Sequence, residues 1–327
     1  MMTTNNASPL ANNNRNVYQS VRIRNKLTSI SVSLFRYVFL ISFSYILLYP
    51  IIYILTHSFR DPADFSDPTV MWIPKSFSWE PLMEAIDKLN FPTSLVSTLL
   101  VEVVSALISI VTCGVAAYGM ARFNFKGRGI LNFVLILTIL VPASMVIIPN
   151  YVTYYKFDVL GIGSLINLIS GVDLRPNLLG TLWTFYLPAI TSVGIRAGFY
   201  IYIYMQFYKS LPKELEEAAW VDGAGPWGTY LRIVVPSSGS AVLSVSLLAI
   251  VWYWNDYYNA MMYFNKDLTM AVELNSFFQK MLAEGSRTLT SDAPITSCLL
   301  FILPLLIMYM FLQKKFIASI ASTGIVG

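Results

Sequence analysis

Apolar residues along this chain gather in six runs, at roughly residues 35–57, 96–119, 129–150, 180–208, 238–257 and 294–313. Each is close to or longer than the ~20 residues an α-helix needs to cross a hydrocarbon core of roughly 30 Å. Pro50, Pro142, Pro149, Pro188 and Pro304 fall within or beside these runs, a placement membrane helices tolerate where neighbours satisfy the freed carbonyls. The fourth run is the least regular. It contains Gly194 and Arg196, Pro188 is placed to break it in two, and its second half, Ala197 to Phe207, still reads as helix. The pattern predicts an all-α membrane protein with six transmembrane helices.

Composition agrees. Of 327 residues, 56% are hydrophobic and 12% charged, about half the charged fraction of an ordinary soluble domain. Such a chain cannot cover its surface with polar groups, and in lipid it has no need to. Cys113 and Cys298 both lie inside apolar runs, where thiols serve as packing residues rather than as a disulfide framework.

The net charge of +4 is small, and its placement matters more than its size. Residues 1–30 are polar and carry Arg15, Arg22, Arg24 and Lys26 without an acid. The apolar run that follows is too long for the usual cleavable signal peptide. We read 1–30 as a flexible cytoplasmic tail and 31–327 as the transmembrane domain. Loop 58–95 is acidic, loop 120–128 carries Arg122, Lys126 and Arg128 with no acid, and Lys314 and Lys315 follow the sixth run. Basic loops stay cytoplasmic, so six crossings predict both termini on the cytoplasmic side. That places loop 209–237 on the cytoplasmic face and loop 258–293 outside.

Loop 209–237 is the most informative stretch. Pro212 suits the first turn of a helix, and Glu214, Glu216 and Glu217 lie where the helix dipole favours acids. Leu215, Ala218, Ala219 and Asp222 share one face by their spacing. Gly223 can end the helix with positive φ, and Pro226 prevents it from resuming. The expectation is a short helix with a small-residue face, a turn, and a second helical piece: a docking element for another protein.

The spacing in this loop resembles that of a known family. Glu217-Ala218-Ala219, Gly223, Ile233 and Val235-Pro236 reproduce the pattern Glu-Ala-Ala, three residues, Gly, nine residues, Ile, one residue, Leu-Pro of binding-protein-dependent ABC permeases. Val235 in place of Leu is the one departure. Asp222-Gly223-Ala224, the stretch Ala117-Tyr-Gly-Met-Ala-Arg-Phe123 and Trp254-Asn255-Asp256 are similar to the maltose-type sugar importers. The tail Lys314-Lys315-Phe316 to Gly327 lacks the usual Lys-Gly ending. The resemblance covers roughly 35–327.

The resemblance implies the type I importer permease fold in a bacterial plasma membrane and the import of a carbohydrate, an oligosaccharide. It implies a heterodimer with a second homologous permease, two ATPase subunits, and an extracytoplasmic solute-binding protein. The chain would carry no cofactor of its own, with ATP and Mg on the ATPases, and it has no Gly-x-x-x-x-Gly-Lys-[Ser/Thr] phosphate loop. Glu217, Ala218, Ala219, Asp222, Gly223 and Ala224 would form the ATPase-coupling element, with Glu217 in polar contact.

Substrate-path candidates are Arg196, an ionisable residue within a run, and Trp254, Asn255 and Asp256 at the outer end of the fifth. Snorkelling is the plainer account of Arg196 and an aromatic belt of the tryptophans. Glu102 carries the same ambiguity. Tyr200, Tyr202 and Tyr204 cannot all face one path, so packing explains them better, and His57 reads as an interfacial residue. No metal-ligand cluster is visible, the partners include membrane lipid, and nothing calls for nucleic acid. Loop 258–293 contains a helical stretch, Leu274 to Met281, and is long enough to meet a binding protein. The rival readings are a non-sugar solute such as a polyamine, peptide or osmolyte, an ion-driven secondary transporter, and a membrane enzyme. The last two lack an inverted repeat and a converging catalytic set.

Overall fold

The computed structural model describes residues 9–65, 67, 74–264, 268–284 and 292–324. Among them there is no β-strand, only an isolated antiparallel bridge between Arg60 and Phe77. Helix α1 runs Pro9–His57, so helix already occupies residues 9–30, ahead of the first apolar run. A short α2 (Glu80–Lys88) leads to α3 (Phe91–Arg122), whose residues Leu99–Val103 form a π turn.

The third apolar run is a bent pair. Helices α4 (Arg128–Leu140) and α5 (Ala143–Tyr155) meet at 105°. Pro142 has no N–H to continue the ladder and pushes the residue before it out of the helical region, and Val141 is indeed extended, with φ −71° and ψ 123°. After α6 (Ile162–Ser170), the fourth run is broken into α7 (Trp183–Ile190) and α8 (Ala197–Ser210). The break does not fall at Pro188, which lies within α7. It comes at 191–196, where Ser192 and Arg196 adopt positive φ of 59° and 57°.

Helices α9 (Glu214–Val221) and α10 (Pro226–Ser237) form the loop element, and α10 turns through 81° into α11 (Gly239–Trp254). Then come α12 (Tyr258–Tyr263), α13 (Met270–Glu284), which contains the expected 274–281 helix, and α14 (Ala293–Gly324). Residues 28–57 of α1, the whole of α3 and residues 293–314 of α14 are each long and apolar enough to cross a membrane, and the two bent pairs could each serve as a further crossing.

The core is built around α3. Ala106, Ser109, Cys113, Ala117 and Ala121 are all buried, and their spacing of three to four residues lines them along one face. Small residues allow close helix approach where lipid supplies no hydrophobic drive between helices. Into that face pack Tyr200, Tyr204 and Tyr208 of α8, Tyr230 of α10, and Val245, Ala249 and Tyr253 of α11. Tyr202 points the other way and is 38% exposed. Gly114 is required here: a Cβ would stand 2.9 Å from the Tyr230 hydroxyl and 3.4 Å from that of Tyr208. Gly198 of α8 does the same for α4, since its Cβ would collide with the Thr138 hydroxyl.

Most described α1 side chains are exposed, among them Phe35, Ile41 and Ile46, as a helix surrounded by lipid would be. The helix is held at its C-terminal end. Arg60 Nε donates to Asp292 Oδ2 at 2.6 Å and its Nη2 to Oδ1 at 2.9 Å, while His57 Nδ1 lies 3.3 Å from Oδ1. All three side chains are buried. His57, expected as an interfacial residue, is thus part of a charged clasp between the end of α1 and the start of α14. The plain reason is the buried carboxylate of Asp292, which requires cationic or donor partners. Replacing Asp292 with Ala takes the carboxylate away from the buried Arg60 guanidinium and should lower stability by about 3–5 kcal/mol; Asp292→Asn, which keeps an acceptor, should cost less. Thermal unfolding of the two variants in detergent checks this ranking.

Candidate functional site: the α9 loop

Helix α9 begins two residues after Pro212 and carries Glu214, Glu216 and Glu217 in its first turn. It ends through paired backbone bonds, Gly223 N–H to Trp220 O at 3.0 Å and Ala224 N–H to Ala219 O at 2.9 Å. That is a Schellman ending, which needs a left-handed residue after the cap, and Gly223 supplies it with φ 84°. No heavy atom lies within 4 Å of a Cβ built on Gly223, so glycine is favoured there for its backbone rather than for space. The chain resumes at Pro226, the first residue of α10, which widens into a second π turn at Tyr230–Val234.

Of the expected face, Leu215, Ala218 and Asp222 are exposed and Ala219 is not. Glu216 and Ala219 turn into the protein, 4% and 8% exposed, whereas Glu217, Ala218, Asp222 and Gly223 are exposed and Ala224 is half-buried. Leu215, Trp220, Val221 and, from α10, Trp227 and Leu231 are exposed with them. The cause is an ion pair. Arg122, the last residue of α3, places Nε 2.6 Å from Glu216 Oε1, close contact without the alignment of a proper hydrogen bond. The same guanidinium donates from Nη2 to the Leu211 carbonyl at 2.8 Å, and the Tyr118 hydroxyl donates to Glu216 Oε2 at 3.1 Å. Once Glu216 points inward, Ala219 follows at i+3. Local spacing points to Glu217 and carries no mark of Glu216. The available signal was Arg122 at the end of an apolar run.

The tyrosines of the core end at this ion pair. Tyr118 packs on Tyr230 at 5.0 Å and on Tyr208 at 6.2 Å between ring centroids, and Tyr204 stacks on Tyr208 at 5.7 Å. Arg128 closes the same corner by donating to the Ala121 carbonyl at 3.0 Å.

The other candidates lie at the opposite end of α11. Arg196 stands at the start of α8 with its guanidinium 4.3 Å above the Trp252 ring, a cation–π pair. Trp254 is buried and donates from Nε1 to the Phe301 carbonyl of α14 at 3.1 Å. Asn255 bonds back to the Val251 carbonyl at 2.8 Å, and Asp256 Oδ1 accepts from Asn259 Nδ2 at 3.0 Å. Arg196 and the 254–256 segment therefore make separate local arrangements. Glu102, in the π turn of α3, is fully buried with no hydrogen-bond partner on either carboxylate oxygen. Nearby in sequence to α6, Asp158 accepts from Gly163 N–H at 2.8 Å and from Ser164, and the Ser164 hydroxyl foremost holds its carboxyl below the usual carboxylate range. No group of three or more His, Cys, Asp or Glu residues suited to a metal occurs among the described residues.

Residues 110–322 match the family described as binding-protein-dependent transport system inner membrane component, a span that includes the α9 loop and the C-terminal part of α3. The polygalacturonan/rhamnogalacturonan transport system permease protein YtcP of Bacillus subtilis is 27% identical over 86% of this chain and 93% of its own length. The diacetylchitobiose uptake system permease protein NgcG of Streptomyces coelicolor is 25% identical over 86% and 85%. Among solved structures, a chain of a bacterial ABC transporter that imports the acidic polysaccharide alginate superposes with a TM-score of 0.67 at 22% identity, covering 87% of this chain and 96% of that one. At that identity the likeness speaks to the fold alone. With more than half of its length matched and the loop in place, the chain belongs to the binding-protein-dependent transport system inner membrane components, the permease subunits of ABC importers.

Proposed function

We propose that this permease carries an oligosaccharide across a bacterial cytoplasmic membrane, driven by ATPase subunits that dock on α9. The observation that carries the docking half is the exposed surface of Glu217, Ala218, Val221 and Trp220, fixed in place by the Gly223 turn and the Glu216 ion pair. The carbohydrate half rests on relatives whose names specify polygalacturonan or rhamnogalacturonan, diacetylchitobiose, and melibiose, raffinose or stachyose. A polyamine, peptide or osmolyte has no such support.

In this reading six crossings are made by α1, α3, the α4–α5 pair, the broken α7–α8 segment, the α10–α11 pair and α14, with both termini cytoplasmic. A second, homologous permease completes a heterodimeric pathway, and exposed apolar faces of this chain meet it or lipid. Two ATPase subunits hold ATP and Mg; Glu217 makes a charge-assisted contact with one of them, Ala218 gives close packing, and Asp222 to Ala224 hold the turn. At the other end the 258–293 loop meets an extracytoplasmic binding protein, an assembly in which the alginate transporter has been captured with its substrate-bound periplasmic protein. Arg196 over Trp252 and the Trp254–Asp256 segment lie at that end and shape the entry.

Three measurements test the reading. In proteoliposomes with its partner subunits and binding protein, the complex should take up oligosaccharides from a size-graded panel only with ATP; uptake of a polyamine or peptide instead would refute the substrate class. Ala218→Trp should weaken ATPase docking and cut uptake about tenfold, equivalent to roughly 1.4 kcal/mol, with insertion unaffected. Ala219→Leu, by contrast, pushes against the protein's own interior and should lower thermal stability as well. With Cys113 and Cys298 replaced by Ser, cysteines at Lys126 and Glu84 should react with impermeant reagents from opposite sides of the membrane, and labelling from one side would overturn the topology.

A further inference from the structure

Resting on the docking reading above, we propose that Arg122 is a positioning residue of the transport cycle. Through Glu216 it locks α9 to the end of α3, so that displacement of α9 by the ATPase moves α3 directly.

Three connections lead from α9 into the membrane-spanning part. Along the chain, the Leu211–Lys213 stretch joins it to α8, with Leu211 extended, and the Asp222–Gly225 turn joins it to α10. The second contains a glycine at positive φ and a second glycine in extended backbone. Links of this kind absorb motion as readily as they pass it on, because a few φ/ψ changes take up a displacement. The third connection is not along the chain. Arg122 and Glu216 have side chains only 8% and 6% exposed, and the guanidinium also holds the Leu211 carbonyl at 2.8 Å. One side chain therefore ties both the start of the loop and the body of α9 to α3. Tyr118 adds a second strap to Glu216 from one turn earlier on α3, and packs on Tyr230 of α10.

Burial makes this a stiff joint. Separating the pair exposes neither charge to water unless α9 leaves its seat, so the ion pair and the seat are lost together. The helix it grips is also the central one, touching α7, α8 and α11. At its far end α3 carries the π turn Leu99–Val103, a ladder irregularity of the kind often found where helices adjust at functional sites. Motion delivered at Arg122 thus reaches the opposite end of the bundle through a single continuous helix.

The test uses the assembled complex in lipid nanodiscs. Spin labels at Val221 on α9 and Phe125, in the turn that Arg128 ties to α3, should keep one distance distribution with and without ATP. A shift between nucleotide states above about 5 Å, one helical turn, would overturn the proposal. In complexes that assemble, Arg122→Gln and Glu216→Gln should lower uptake per ATP hydrolysed at least about fivefold, the low end of site-to-site coupling. The double exchange R122E/E216R should recover it. Unchanged uptake per ATP in both single variants, or hydrolysis and uptake falling in step with the amount of assembled complex, would reduce the pair to a structural contact and sink the idea. If the single variants do not assemble, the distance measurement on the otherwise native chain decides. Failure of the docking reading looks different, because the ATPase would then fail to copurify with the native chain.

Discussion

The small-residue face of α3 is the constraint on which the rest depends. Alanine, serine, cysteine and glycine along one side of this helix let α8, α10 and α11 approach closely enough for tyrosines to fill the space between them. In lipid there is no hydrophobic gain in burying apolar side chains against one another, so close van der Waals contact and hydroxyl hydrogen bonds must do that work. Gly114 shows how tight the fit is: a single added carbon would meet two tyrosine hydroxyls. Tyr253, on α11, bonds Ser109 of α3 at 2.8 Å and accepts from the Ile195 amide at 3.2 Å, joining three segments in one place.

Charge is used sparingly and at the two ends. Near one, Arg60 and His57 gather on Asp292 and fasten α1 to α14. Near the other, Arg122 and Tyr118 gather on Glu216 and fasten α9 to α3. Each clasp joins residues far apart in sequence, and each is shielded from solvent. Burial makes both costly to break on one side alone, which turns them into fixed points rather than surface ornaments. The irregular features sit between and beside them: two bent helix pairs, the broken fourth segment, and two π turns.

Much of this was legible beforehand where the signal is local. Apolar run length gave the membrane-length parts of α1, α3, α11 and α14, because hydrophobic thickness sets the least length such a run can have. The Gly223 turn followed from the need for a left-handed residue after α9. The Pro142 bend is a proline effect that sequence shows in principle, although its angle is not. Less legible was the break of the fourth segment, expected at Pro188 and found at 191–196, where Ser192 and Arg196 take left-handed backbone that no residue preference would have picked out.

Periodicity, apolar length and turn residues act over a few neighbours, and they suffice for a helical membrane protein with a helix–turn–helix loop of family-specific spacing. Which side of α9 faces outward depends instead on packing between segments distant in the chain. Glu216 and Glu217 are adjacent acids of equal propensity, and nothing local distinguishes them. The difference is made by Arg122, whose guanidinium is brought to the seat of α9 by the packing of α3 and requires a buried partner there. A charge withdrawn from water selects its counter-charge by distance in space, and distance in space is what a linear sequence leaves unstated.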